Sequence, residues 1–267
     1  MEIFSESTYY LLKRFVSMID LKQYLNESLL DDFDTIAKNQ DIRIWFDECN
    51  QDNGYEYEFK NGVLTISHTG GSVGFDIMRD VPSGVKKVIF KGECFISFKG
   101  EDMDSDLSKY EFDNDSNTVS IIGSFKNNTI KNVHLPSSVH LGGGEYVNTP
   151  GNENYVKGAH YVFKNSSVKA GQIIIRKNVI LSIEDLVDGL KIVNNSGKYT
   201  RIWFDGDHQD IGRFIQKYKK TRKIQPTFDQ LNAWLPKDMK CALIYSYARQ
   251  FVREPNTTEW IEGKAWS

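Results

Sequence analysis

The chain has 267 residues, of which 40% are hydrophobic and 13% are aromatic, so it is not a broadly disordered protein. Its 33 Lys and Arg against 36 Asp and Glu give a formal net charge of −3, and so no global attraction to nucleic acid or anionic membranes. Three cysteines exclude a disulfide scaffold and favour a reducing compartment. With no long apolar run and no basic leader, the sequence predicts no membrane partner and a cytoplasmic location.

The N-terminal part of the chain has helical periodicity. Apolar residues recur at three- and four-residue steps between residues 7 and 38, first around Phe15 and then around Leu29 and Phe33. We expect residues 1–40 to form a helical segment that covers whatever follows it.

From about residue 42 the pattern becomes alternating, which is typical of short β-strands. Asn61-Gly62 separates two such runs and predicts a tight hairpin turn, because both central positions of a type I′ turn need positive φ. The predicted strands are Ile42–Phe46, Tyr55–Phe59, Val63–Ser67, Lys87–Phe90, Phe95–Phe98, Tyr110–Phe112, Val119–Ile122, Asn132–Leu135, Tyr161–Phe163, Gln172–Ile175 and Arg201–Phe204.

The spacing of these runs indicates a repeat. Those near Leu64, Val88, Tyr110 and Val133 are about 22–24 residues apart, and each is followed by a second run. We expect an α+β protein that is mainly β, with stacked two-strand repeats (a β-solenoid or leucine-rich-repeat-like body) over residues 41–208. A β-sandwich with helical ends, built from successive hairpins, is the alternative.

Two parts of the chain share short strand motifs joined by turns: Tyr57–Gly70 (YEFKNGVLTISHTG) with Gly84–Phe90 (GVKKVIF), and Val119–Val139. The first resembles the opening strands of irregular leucine-rich-repeat domains of the BspA-like type, and the second resembles the repeat unit of that family. The resemblance covers roughly residues 55–140. The chain has few repeats, and Asn127-Asn128 replaces the family's usual Cys. The resemblance implies a curved solenoid used for binding, with no catalytic residues to carry over.

The pentapeptide Arg-Ile-Trp-Phe-Asp occurs twice, at Arg43–Asp47 and Arg201–Asp205. One interpretation is a pair of equivalent edge strands that begin and close the β region. The other is a recognition site formed jointly by Trp45 and Trp203.

The C-terminal part, residues 209–267, is predicted to be helical again. Helices are expected over Asp210–Lys220, from an N-cap at Thr227 to Trp234, and over Lys237–Val252. Between the repeats and this part, Gly142–Asn154 is predicted to be a surface loop.

The sequence contains no motif for catalysis, for a cofactor or for a strong metal site. The five histidines and three cysteines lack zinc-ligand spacing, and no nucleophile elbow or phosphate loop is present. Asp102, Asp104 and Asp106 fall at calcium-loop positions, but Leu107 replaces the glycine that an EF-hand requires. We therefore expect a solvated acidic turn, with a weak calcium site as the alternative.

The remaining candidate is a basic segment over residues 213–223, which could neutralise several phosphates. It contains Arg213, Lys217, Lys219, Lys220, Arg222 and Lys223. We expect a non-enzymatic interaction or structural protein whose partner is another protein or a further copy of this chain. A nucleic-acid-binding protein is the alternative, and an uncharacterised enzyme is a second one. The richness in Asn, Asp, Lys and Ile is typical of AT-rich genomes, including those of many bacteriophages, and is a hint about origin rather than about activity. For a phage-encoded protein, the two expected roles are a virion component and an inhibitor of a host factor.

Overall fold

The structure is a computed structural model that describes residues 27–50, 54–70, 74–100, 104–113, 117–123, 127–143, 145–149, 152–157, 159–176, 179–181, 188–193, 199–205, 227–246 and 249–263. These residues form a mainly β protein with two helices, as predicted at the level of fold class. The helices are α1 (Glu27–Cys49) and α2 (Phe228–Trp234). The strands are β1 (Tyr55–Lys60), β2 (Val63–His68), β3 (Phe75–Ile77), β4 (Lys87–Lys91), β5 (Phe95–Gly100), β6 (Asp104–Asp106), β7 (Tyr110–Phe112), β8 (Thr118–Gly123), β9 (Asn127–Lys131), β10 (His134–Leu135), β11 (Ser138–Gly143), β12 (Glu145–Thr149), β13 (Asn152–Lys157), β14 (Ala159–Lys164), β15 (Ser166–Lys169), β16 (Gln172–Arg176), β17 (Val179–Leu181), β18 (Leu190–Val193), β19 (Thr200–Asp205), β20 (Cys241–Ser246), β21 (Arg249–Arg253) and β22 (Ile261–Glu262).

Helix α1 packs across the beginning of the β region. Its buried face consists of Ile42, Trp45, Phe46 and Cys49, which recur at helical spacing. The ring centroids of Phe46 and Tyr57, in β1, are 4.5 Å apart. The predicted strand Ile42–Phe46 is therefore wrong, and the helix passes the expected boundary at residue 40 by nine residues. A five-residue run was too short to separate alternation from the helical period that continues to Cys49.

The strands form one nine-stranded sheet, in the order β22-β21-β20-β19-β16-β11-β8-β5-β3, and three smaller sheets that carry successive turns of the chain. The β1 sheet has the order β1-β2-β4-β7, the β6 sheet has β17-β14-β9-β6, and the β10 sheet has β10-β15-β18. A hairpin of β12 and β13 stands apart. Among the described strands, the antiparallel pairs are β1–β2, β12–β13, β20–β21 and β21–β22. The rest are parallel, which does not agree with a sandwich of successive hairpins.

From β4 to β19 the chain visits the sheets in a recurring order: the β1 or β10 sheet, then the nine-stranded sheet, then the β6 sheet. Leu64, Val88 and Tyr110, three of the positions that define the predicted spacing, are successive register partners in the β1 sheet. In the nine-stranded sheet Ile96 and Val119 pair in the same way. The spacing in the sequence therefore corresponds to parallel neighbours.

Alternate residues of these strands point inward and form one apolar cluster that reaches from α1 to Trp260. Leu64, Ile66, Val88 and Phe90 are fully buried in adjacent strands. Full burial of such a side chain contributes roughly 1.5–3 kcal/mol. The sequence alternation of β2 and β4 is thus explained by one face in the core and one face outside.

The predicted loop Gly142–Asn154 is wrong in its central part. Strands β12 and β13 pair antiparallel there, with Tyr146 opposite Val156. The glycines, asparagines and proline of this run are turn signals, so the sequence favoured a loop over strands. The insertion does interrupt the spacing, as expected.

The C-terminal prediction is confirmed for α2 and wrong beyond it. The Thr227 hydroxyl accepts from the Gln230 backbone N–H at 3.2 Å, and the Gln230 side chain accepts from the Thr227 N–H, which is a capping box. The helix predicted over Lys237–Val252 is replaced by β20 and β21. Cys241–Ile244 is buried on both faces, and a short continuous apolar run cannot be assigned by periodicity. The helix predicted over Asp210–Lys220 lies outside the described residues.

The two copies of the repeated pentapeptide adopt different structures. Arg43–Asp47 lies within α1, whereas Arg201–Asp205 lies in β19, which pairs with a strand on each side. The prediction of two equivalent edge strands is wrong. Tertiary context, rather than the five residues themselves, decides the local structure here.

Candidate functional site

Trp45 is part of the core rather than of a surface. Its side chain is fully buried, its indole N–H donates to the Arg79 carbonyl at 3.3 Å, and its ring centroid lies 5.7 Å from that of Phe75. A partner could reach this ring only if α1 left the β region. Trp45 is therefore a packing residue.

Trp203 lies on the outer side of β19 and is partly exposed, next to Ile174 and Ile244 in the adjacent strands. Trp45 contacts β3, which is five strand positions from β19 in the nine-stranded sheet. At about 4.8 Å per strand that separation is roughly 24 Å. The structure does not bring the two tryptophans together, so they form no joint recognition site.

The predicted basic segment lies outside the described residues. This applies to Arg213, Lys217, Lys219, Lys220, Arg222 and Lys223. A role for it in nucleic-acid binding stays a prediction.

Of the weak cation candidates, Asp102 lies outside the described residues and Asp104 is in β6. The Asp106 carboxylate accepts from the Ser108 backbone N–H at 2.9 Å and from the Asn132 side-chain amide at 2.9 Å. These bonds, with those of Ser108 first, lower the pKa of Asp106 below its ordinary value. In the described part of the chain, no group of three or more His, Cys, Asp or Glu residues is placed to hold a metal ion. Asp106 works as a turn-stabilising carboxylate.

The Asp106–Asn132 contact continues into a ladder that the sequence reasoning missed. The Asn165 side-chain amide donates to the side-chain oxygen of Asn132 at 2.8 Å, and both asparagines have positive φ, 48° and 56°. Asn is one of the few residues that adopt this conformation without a large penalty. The signal in the sequence was an apolar-Lys-Asn tripeptide, which ends at Asn39, Asn61, Asn127, Asn132 and Asn165. The copies that end at Asn61, Asn132 and Asn165 have positive φ at the asparagine.

Deeper in the interior, Tyr161 joins three strands through its hydroxyl group. The hydroxyl accepts from the Gly123 N–H at 2.6 Å and lies within bonding distance of the carbonyl oxygens of Ile121 and Gly142. Burial raises the pKa of Tyr161 well above its ordinary value. A tyrosine that stays protonated and is fixed between backbone groups has a structural role.

The three cysteines are buried free thiols. Burial raises the pKa of Cys49 to about 12 and those of Cys94 and Cys241 to about 11. Because the thiolate is the nucleophilic form, these side chains are poor nucleophiles at neutral pH. They occupy core positions and supply no reactive group.

Arg253 is the largest buried cation that the structure describes. It is fully buried, and its guanidinium donates to the Asn232 side-chain oxygen at 3.0 Å and to the carbonyl oxygens of Pro236 and Met239. The guanidinium carbon lies 5.7 Å from the ring centroid of Trp260. These neutral partners join β21, α2 and the segment between α2 and β20, so Arg253 fixes the C-terminal end of the core.

Comparison of the chain with protein-family models, curated proteins and solved structures finds no match. The resemblance to BspA-like leucine-rich repeats therefore stays a prediction. Among the described residues, neither helix has the length and apolar character needed to cross a bilayer.

Proposed function

We propose that the body of this protein is a stack of similar layers, a β-solenoid, whose outer faces bind another protein or a further copy of this chain. The observation that carries the proposal is the matched parallel register along successive turns of the chain. Leu64, Val88 and Tyr110 are aligned in one sheet, and Ile96, Val119 and Val139 are aligned in another. Such stacks offer long, continuous lateral faces and bind through them.

A helix packs near each end of the stacked strands, as expected for a module that ends within this chain region. Helix α1 packs on the first layer, where Phe46 and Trp45 contact Phe75. Helix α2 packs at the other end, where the Trp234 indole N–H donates to the Leu190 carbonyl at 2.7 Å. The two helices limit further stacking at the places that they cover, which favours the sides for a partner.

The residues with perturbed acid–base properties support a non-enzymatic role. Among the residues that the structure describes, the largest pKa shifts belong to Cys49, Cys94, Cys241, Tyr110 and Tyr161, and burial is the first cause of each. In each case the shift favours the neutral, unreactive form. These groups form core contacts and do not make a set of nucleophile, base and stabilising donor.

The outer side of the nine-stranded sheet is the broadest face on which to test this proposal. Ser97 and Ser120 are register partners there and are partly exposed. A Ser97→Arg/Ser120→Arg variant places two bulky cations on this face without touching the core. Glu58→Arg/Thr65→Arg is the matched control, because these two residues are partners on the outer side of the β1 sheet.

The measurement is affinity capture from the native cell or particle, with light scattering of the purified protein to detect self-association. We expect a protein, or a second copy of the chain, whose association is lost with one pair of substitutions and retained with the other. Association that is identical for wild type and both variants, or absent from all three, would contradict the proposal.

A further inference from the structure

One corner of the strand stack repeats a lysine-containing turn. The tripeptides Phe59-Lys60-Asn61, Ile130-Lys131-Asn132 and Phe163-Lys164-Asn165 each end a strand at this corner, and each asparagine has positive φ. The left-handed asparagine reverses or redirects the backbone and leaves the preceding lysine at the edge of the corner. The same local solution is thus used in three different layers.

The intervening layers add lysines at the same place. The Lys86 N–H donates to the Gly62 carbonyl at 2.7 Å, immediately after the first of these turns. The Lys109 carbonyl accepts from Val88 at 2.8 Å, which places Lys109 beside the start of β4. We use the name corner lysines for Lys60, Lys86, Lys109, Lys131 and Lys164.

Backbone hydrogen bonds continue the line through the later layers. The Leu107 N–H donates to the Lys131 carbonyl at 3.0 Å, and the Asn132 N–H donates to the Lys164 carbonyl at 3.0 Å. Lys131 and Lys164 are also direct register partners. From the Lys60 turn to the Lys164 turn there are four strand steps, or roughly 19 Å.

The charge of this line is only weakly compensated. Lys60, Lys86, Lys109 and Lys164 are exposed, and within the described part of the chain none of them forms an ion pair. Lys131 is half-buried and acts on the carboxylate of Asp106 in the neighbouring layer. Five lysines thus follow one corner of the stack, and the carboxylates near them are Asp106 and Glu111, of which Glu111 pairs with Lys87.

Helix α1 extends the basic line at its first end. The Lys38 Cδ atom lies 3.7 Å from the Cβ position of Gly84, two residues before Lys86. Lys38 is exposed and also lacks an ion pair with any described residue. A sixth cation therefore lies where the helix meets the corner.

We propose that the corner lysines bind the sugar-phosphate backbone of a single-stranded nucleic acid that lies along the stack. Lysine binds phosphate as a point charge, and a row about 19 Å long offers several cations to the phosphates of one strand. A single strand can straighten along such a row, whereas the phosphates of a duplex follow a helical path. Contacts to phosphates carry no sequence information, so this binding is independent of sequence.

This inference rests on the stacked arrangement proposed above and names a partner for one corner of it. It is separate from the predicted basic segment at residues 213–223, because the corner lysines come from different layers of the β body. Binding by the corner should respond to substitutions there and not to substitutions in that segment.

The test is fluorescence anisotropy with a labelled oligothymidine of about 20 nucleotides in about 50 mM NaCl. Lys86→Glu/Lys164→Glu is the corner variant. Lys91→Glu/Lys237→Glu is the matched control, since both of these lysines are exposed and lie away from the corner. Lys219→Glu/Lys220→Glu tests the basic segment. Circular dichroism melting of each variant shows that it is folded.

We expect the corner variant to weaken binding by about tenfold or more, and the other two variants to bind within about twofold of wild type. Each phosphate contact to a single strand contributes about 0.7 to the slope of log Kd against log salt concentration. Loss of two contacts should therefore lower that slope by about 1.4. No binding to the oligonucleotide, or a corner variant within about threefold of wild type, would overturn the proposal. Binding of labelled polyglutamate or heparin, without binding of the oligonucleotide, would also overturn it. The capture experiment with the Ser97→Arg/Ser120→Arg and Glu58→Arg/Thr65→Arg variants does not depend on this result. The two proposals can therefore fail independently.

Discussion

Substitution of Arg253 is expected to destabilise the C-terminal end of the core more than any surface change. In Arg253→Met the side chain keeps much of its volume, but the carbonyl oxygens of Pro236 and Met239 lose the guanidinium donor, and the Asn232 side-chain oxygen keeps only the Trp260 indole N–H. A buried acceptor without a partner costs about 1–3 kcal/mol. The loss is partly offset because a guanidinium no longer has to be desolvated.

Together these effects predict a decrease of about 2–4 kcal/mol in the free energy of unfolding. For a protein of this size that decrease lowers Tm by about 10 °C, measured by circular dichroism together with urea unfolding. The control is Arg43→Met, because the Arg43 side chain is 77% exposed and its pair with Asp47 lies on the surface of α1. The control should change stability by less than about 0.5 kcal/mol. Arg253→Met with unchanged or increased stability would refute the assignment of a structural role to the guanidinium.

Three further predictions concern the interior and the turns. We expect no reaction of a thiol reagent at pH 8 with the folded protein, because burial holds the pKa values of Cys49, Cys94 and Cys241 at about 11–12. All three should react in guanidinium, and rapid reaction of any one of them in the native protein would contradict their burial. Tyr161→Phe should cost about 1–3 kcal/mol in urea unfolding, since a buried backbone N–H loses its acceptor, and a cost near zero would argue against that bond. Asn165→Ala should lower the free energy of unfolding by about 1–2 kcal/mol, because alanine is strained at a φ of 48°. Asn165→Gly should lower it much less, since glycine adopts this φ without strain. Equal losses for both variants would attribute the effect to the side-chain hydrogen bond with Asn132 instead.

The sequence was informative where one face of a strand is buried and the other is not. Val63–Ser67 and Lys87–Lys91 alternate between buried and more exposed residues, so the period was visible and both strands were predicted within one residue. The spacing of Leu64 and Val88 likewise predicted two positions that pair in register. Local and tertiary requirements coincide in these strands.

The predictions failed where burial hides the period. Cys241–Ile244 is buried on both faces and was taken for a helix, while Ile42–Phe46 continues a helix and was taken for a strand. Neither assignment could be corrected locally, because each depends on which elements pack above and below. The repeated Arg-Ile-Trp-Phe-Asp sequence shows the same limit, since identical residues form helix in one place and strand in the other.

The candidate surfaces show a related limit. The sequence suggested Trp45 as a recognition residue, but its ring is fully buried. The corner lysines were not predicted as a group. Their positions in the sequence are 22 to 33 residues apart from one turn to the next, and only the register of the strands brings them into line. Sequence alone contained the repeated apolar-Lys-Asn tripeptide, but not the layer to which each copy belongs.

The central claim, that the strands stack in parallel register, is tested most directly by one distance. Ser97 and Gln250 lie on the same outer row of the nine-stranded sheet, six strand steps apart. Spin labels on Ser97→Cys/Gln250→Cys should therefore give a narrow distance distribution near 29 Å, allowing for label length, and the native cysteines should stay unlabelled because they are buried. A broad distribution, or a mean below about 20 Å, would contradict the stack.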